Sequence, residues 1–102
     1  MNEKEAMTLT NENIMNTYRR FPVVLAKGSG ARVWDVNGKE YLDFMAGIAV
    51  CSLGHSHPAV VAAVKEQADK LTHVSNLYYT EPQARLAKIL IDHSFADKVF
   101  FC

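Results

Sequence analysis

Apolar and polar positions along the chain switch between a helical and a strand period, and the switches mark the elements. Thr10 stands where it caps a short helix whose apolar residues Ile14, Met15 and Tyr18 share a face, and Pro22 ends that helix. Val23-Val24-Leu25 reads as a first strand, Gly28-Ser29-Gly30 as a turn, and Ala31 to Asp35 as a second strand. Asn37-Gly38 is a strong hairpin signal, because both residues tolerate positive φ. Tyr41 to Phe44 is then the returning strand. Leu42 and Phe44 lie on one of its faces, Trp34 joins them from the partner strand, and Trp34 reads as core. Met45 to Leu53 follows neither period and reads as irregular. Pro58 suits the first position of a helix with an apolar stripe at Val60, Val64, Ala68 and Leu71. Thr80-Glu81-Pro82-Gln83 matches a capping box that opens a further helix, with Leu86, Ile89 and Leu90 inward and His93-Ser94 at its end. Lys98 to Cys102 has the character of a buried strand just begun. The order is an N-terminal helix, a small antiparallel sheet with a hairpin, two helices and a strand, which is α+β leading into α/β.

Composition narrows the class. Eleven basic residues balance eleven acidic ones over 102 positions, so charge gives no reason to bind nucleic acid or an anionic membrane. The N-terminus lacks the apolar core of a signal peptide, and Met45 to Leu53, the most apolar stretch, is too short to span a bilayer. Two cysteines are too few for a disulfide framework, so reduced thiols and a cytoplasmic setting are expected. A terminal apolar strand needs neighbours on both faces, which points to a piece of a longer chain.

Candidate chemistry is sparse. There is no P-loop, nucleophile elbow or C-x-x-C pair, and Gly28-Ser29-Gly30 leads into a strand instead of opening a helix. Cys51, His55 and His57, with His73 as a further ligand, make a weak case for a metal module, since their spacing matches no common zinc pattern. The histidines read better as turn residues bonded to nearby backbone. Asp35 and Asp43 read as parts of the hairpin and its strand ends and not as a carboxylate pair. Tyr78-Tyr79 reads from composition as packing, although loop aromatics also wall pockets.

The ordered residues carry more. Tyr18-Arg19-Arg20-Phe21-Pro22 is followed by Lys27 to Asp35, Gly38 to Phe44, Gly47-Ile48-Ala49-Val50, Leu53-Gly54-His55-Ser56-His57-Pro58 and Ser75 to Gln83. From about Tyr18 to Cys102 this series resembles the N-terminal region of the class-III aminotransferases, a fold-type-I family dependent on pyridoxal phosphate. Within the family it is most similar to the acetylornithine aminotransferases of arginine biosynthesis.

The resemblance implies residues 1–17 as an N-terminal arm or helix, 18–71 as the N-terminal part of the small domain, and 72–102 as the start of the large cofactor-binding domain. It implies a homodimeric parent that moves an amino group from N-acetylornithine to 2-oxoglutarate. It also implies that these residues lack the Schiff-base lysine and the phosphate-binding turn and are inactive alone, with no catalytic residue among them. By the same resemblance Ile48, Val50, Tyr78 and Tyr79 line the substrate pocket. An aliphatic Ile48 suits a neutral acylated tail better than a free ammonium. Ornithine, succinylornithine and 4-aminobutyrate aminotransferases share much of the pattern. A short non-catalytic chain that binds a full-length aminotransferase is a further alternative.

Overall fold

The computed structural model describes all 102 residues, which divide into two compact units, Met1–Glu66 and Gln67–Cys102. In the first unit, helix α1 spans Glu3–Asn13. The Asn2 side chain caps it by accepting from the Glu5 amide at 2.9 Å, and Glu3 and Glu5 place negative charge at the positive helix end. The expected cap at Thr10 is therefore corrected. Thr10 lies inside α1, where its carbonyl accepts from the Ile14 amide, and Ile14, Met15 and Tyr18 fall beyond the helix. An earlier cap with acidic first-turn residues outweighed the apolar spacing.

Strands β1 (Leu25–Ser29), β2 (Arg32–Asp35) and β3 (Glu40–Leu42) form one antiparallel sheet in that order. Val23 and Val24 precede β1, which runs through Ser29 with an irregularity between Leu25 and Lys27, so the turn falls at Gly30-Ala31 and not at Gly28. The β2–β3 hairpin turns where expected. Gly38 has φ +84° and its amide donates to the Asp35 carbonyl at 3.0 Å, while Asn37 stays at negative φ. One residue with left-handed backbone suffices for a three-residue loop of this kind.

The face of the sheet that is buried is the opposite of the one expected. Val33 and Asp35 are each only 7% exposed, whereas Leu42 and Phe44 are 61% and 91% exposed. β3 stops at Leu42, so Phe44 lies outside the sheet. Trp34 is half-buried under Lys27, whose ammonium sits 4.9 Å from its ring centroid. Asp35 takes the buried position because its carboxylate is fully used. It accepts from the Asn37 and Lys39 amides at 2.9 Å each and from the Tyr41 hydroxyl at 2.8 Å.

Met45 to Leu53 is irregular, as its composition suggests, and α2 (Ala46–Ala49) is a single turn within it. Helix α3 (Pro58–Ala68) begins at the proline. Its stripe is present but uncovered, with Val60 and Val64 exposed.

In the second unit a 3₁₀ turn, Ser75–Leu77, precedes helix α4 (Glu81–Asp92). The expected capping box does not form. Thr80 has N-cap backbone geometry but no capping hydrogen bond, and Gln83 donates instead to the Asn76 side chain at 3.2 Å. Asn76 in turn donates to the Phe101 carbonyl, and these bonds tie the 3₁₀ turn to both the helix and the chain's last residues. Lys98 to Cys102 forms no strand, because a strand needs a neighbouring ladder and none lies beside it.

The total accessible surface is 9376 Å² for 11.4 kDa. A self-contained folded chain of this mass exposes about 5,800 Å². Roughly 3,600 Å² more surface is open than such a chain leaves, and much of it belongs to large apolar side chains.

Candidate functional site

The most unusual backbone lies directly after β3. Ala46, Gly47, Ile48 and Ala49 have φ of +47°, +62°, +59° and +64°. Four consecutive left-handed residues make α2 a left-handed turn. Only glycine adopts this conformation without cost, and a Cβ there costs about 1–2 kcal/mol per residue. Ala46, Ile48 and Ala49 together therefore store about 3–6 kcal/mol, with the β-branched Ile48 the most unusual of the three.

Asp43 holds the entrance to this turn. Its Oδ1 accepts from the Met45 and Ala46 amides, each at 2.9 Å. Its Oδ2 lies 2.6 Å from Nε2 of His55. The exit is closed by the Cys51 amide, which donates to the Ala46 carbonyl at 2.8 Å. The hydrogen bond with His55 first, then the one from the Ala46 amide, hold the Asp43 carboxyl below the usual carboxylate range despite partial burial.

His55 is itself fixed to the sheet. Its amide donates to the Gly30 carbonyl and its carbonyl accepts from the Gly30 amide, both at 2.9 Å. The approach needs glycine on both sides. A Cβ on Gly28 would come within 2.6 Å of the His55 Cβ and Cγ, and one on Gly54 within 2.8 Å of the Gly30 Cα. Thus β3 supplies the carboxylate, the β1–β2 corner supplies the anchor, and the glycines supply the space.

The histidines were expected to bond nearby backbone, and their rings do otherwise. The His55 ring pairs with a carboxylate twelve residues away, and the buried Nδ1 of His57 has no partner. Asp35 and Asp43 do sit at the ends of the hairpin strands, in separate networks. No three His, Cys, Asp or Glu residues come together in a way that holds a metal ion.

The residues singled out as pocket lining fall in both units and are exposed. Ile48 is 85% exposed at the crest of the left-handed turn, and Val50 follows it, 81% exposed. Tyr78 and Tyr79 follow the 3₁₀ turn, and Tyr79 is fully exposed. The Asp43–His55 pair was not legible as a unit. Gly54-His55 beside Pro58 was the local signal, but nothing in the spacing pointed to Asp43.

Lysine side chains and helix starts are the groups here that pyridoxal phosphate would use. All seven lysines are exposed. Lys27 and Lys39 lie over Trp34 and Tyr41, and Lys88 bonds Asp92. Helix α4 opens on Glu81, whose charge opposes a phosphate there.

Comparison with known proteins agrees with the series of residues from Tyr18 onward. The family model for aminotransferase class-III matches residues 14–102. An acetylornithine aminotransferase from Synechocystis sp. is 61% identical over 89 residues, covering 87% of this chain and 21% of that protein. The crystal structure of acetylornithine aminotransferase from Elizabethkingia anophelis superimposes with TM-score 0.91 at 35% identity, over 96% of this chain and 26% of that one. An ornithine aminotransferase from Toxoplasma gondii, with partial occupancy of pyridoxal phosphate at its active site, superimposes with TM-score 0.89 at 35% identity, over 95% of this chain and 23% of that one. The chain thus spans about a fifth to a quarter of the length of these relatives. The matched residues and the shared fold make this chain a member of the class-III aminotransferase family.

Proposed function

We propose that these residues are the N-terminal segment of a pyridoxal-phosphate-dependent aminotransferase that uses N-acetylornithine as amino donor and 2-oxoglutarate as acceptor. The observation that carries the reading is the 61% identity to an acetylornithine aminotransferase. The cofactor supplies the electron sink for amino transfer. We place its binding site in other parts of the longer protein, since Lys27, Lys39 and Lys88 are engaged elsewhere and Glu81 opposes a phosphate at the start of α4. A homodimeric parent in the cytoplasm completes the proposal. No helix here is long and apolar enough to cross a membrane.

The segment's part is to build walls. Ile48 and Val50 give an apolar surface on a strained, clamped turn, which suits the neutral acyl tail of the donor. Tyr78 and Tyr79 add aromatic faces that each end in a hydroxyl. The large exposed apolar surface fits a segment that is covered by the rest of its chain and by a second subunit. The test is substitution in the full-length protein. Ile48→Ala and Tyr79→Ala are expected to lower kcat/KM for N-acetylornithine by about tenfold each, the scale of a lost wall contact. Unchanged kinetics in both variants would remove them from the pocket.

A further inference from the structure

We infer that Asp43 and His55 are positioning residues, which clamp the left-handed turn Ala46–Ala49 and thereby set the direction in which Ile48 projects. The inference rests on the reading of Ile48 as a pocket wall. Neither Asp43 nor His55 is placed against substrate; both act through the turn.

A connected set of bonds supports it. The sheet corner at Gly30 fixes the backbone of His55 through two bonds of 2.9 Å. The His55 side chain then has one defined position, because it fills the space that Gly28 leaves open. From there Nε2 meets Asp43 Oδ2 at 2.6 Å. The other oxygen of Asp43 takes the Met45 and Ala46 amides, which lead into the turn. The links from the sheet to the turn are hydrogen bonds between named atoms and the packing of the His55 side chain against Gly28.

The turn needs such a hold. Ala46, Ile48 and Ala49 have no intrinsic preference for positive φ, and the Ile48 side chain is not locked by packing, since it is 85% exposed. Without the clamp the segment has every reason to relax toward negative φ. Relaxation at Ile48 swings its Cβ away from its present direction. A wall residue on a free loop places its surface poorly, and the orientation of the wall then governs which donor tail fits.

The test uses the full-length aminotransferase that carries these residues, with variants H55A, H55Q and I48A. Amide hydrogen exchange in the peptide spanning residues 44–52 reads the clamp. It should speed up about tenfold or more at Met45 and Ala46 in H55A, and return close to the parent rate in H55Q, whose amide nitrogen reaches the place of Nε2. Unchanged exchange in H55A overturns the clamp. The ratio of kcat/KM for an N-acylated donor against a free diamine reads the consequence. H55A should shift that ratio in the same direction as I48A, and the double variant no further than I48A alone. Faster exchange with an unshifted ratio in H55A, while I48A shifts it, overturns the positioning role. An unshifted ratio in I48A itself sinks the pocket-wall reading, and the clamp then stands or falls on exchange. If H55A does not yield soluble protein, H55N, whose amide stops short of Asp43, carries the same expectations.

Discussion

Gly54 and Gly38 share a φ of +84°, yet an added Cβ meets very different surroundings at the two sites. At Gly38 it finds open space within 4 Å. Gly38→Ala therefore costs only the left-handed backbone penalty, about 1–2 kcal/mol. At Gly54 the Cβ would stand 2.8 Å from the Gly30 Cα, 3.0 Å from its carbonyl carbon and 3.1 Å from its oxygen. All three are backbone atoms and cannot rotate away. Gly54→Ala must then push Gly30 from His55 and break the two bonds between them, each worth about 0.5–1.5 kcal/mol. Added to the backbone penalty, the total is about 2–5 kcal/mol. Hydrogen exchange at the Gly30 and His55 amides in the full-length protein is the assay. At about 1.4 kcal/mol per tenfold, Gly54→Ala accelerates it about thirtyfold or more. Gly38→Ala leaves these two amides near their parent rates and quickens only the hairpin loop. Equal effects of the two substitutions at Gly30 and His55 would refute the close-approach argument.

Other perturbations have defined outcomes. Burial raises the Asp35 carboxyl, but the bonds from the Lys39 amide, the Tyr41 hydroxyl and the Asn37 amide outweigh it and hold the group below its ordinary value. Its contribution to the hairpin is thus full above the unfolded value near ~3.9 and is lost as pH falls through the lowered folded value; hairpin exchange followed down the acid range checks this, and Asp35→Asn should flatten the profile. The Tyr41 hydroxyl, bonded first to Asp35, is held above its ordinary value, so its contribution is full below ~10 and is lost as pH rises through the higher folded value. Phenolate absorbance of Tyr41, read as the difference between the full-length protein and its Tyr41→Phe variant, should rise late, and Asp35→Asn should remove the delay. A polypeptide of residues 1–102 alone should bind a hydrophobic dye, melt broadly and self-associate, given its excess exposed surface; a concentration-independent cooperative melt of a monomer would speak against that.

Elements with a strong local cause were legible in the sequence. Asn37-Gly38 placed the hairpin because glycine tolerates the left-handed backbone of the turn, and Pro58 placed the start of α3 because its ring fixes φ. What was missed depended on distant partners. Ala46, Ile48 and Ala49 carry no local preference for left-handed backbone, and their conformation follows from Asp43 and His55. The buried face of the sheet was misassigned because side-chain size favoured Trp34 and Leu42, whereas three hydrogen bonds to Asp35 decided it. The capping box lost its return bond because the Gln83 side chain bonds Asn76 instead. The apolar run at Val99 to Cys102 expresses a strand preference that only a neighbouring strand can satisfy. Of the candidate site, Tyr78-Tyr79 read from composition as packing whereas both are exposed, and the clamp behind Ile48 was not legible as a unit.

The central claim is that this segment serves an aminotransferase whose donor carries a neutral acylated tail. The most direct test is glutamate formation from 2-oxoglutarate by the full-length protein, with N-acetylornithine, ornithine, succinylornithine and 4-aminobutyrate offered singly. The account predicts the highest kcat/KM for N-acetylornithine, with ornithine and 4-aminobutyrate lower by about tenfold or more, as expected when an unpaired ammonium or carboxylate meets an apolar wall. A preference for ornithine or 4-aminobutyrate, or no glutamate from any of the four, would contradict it.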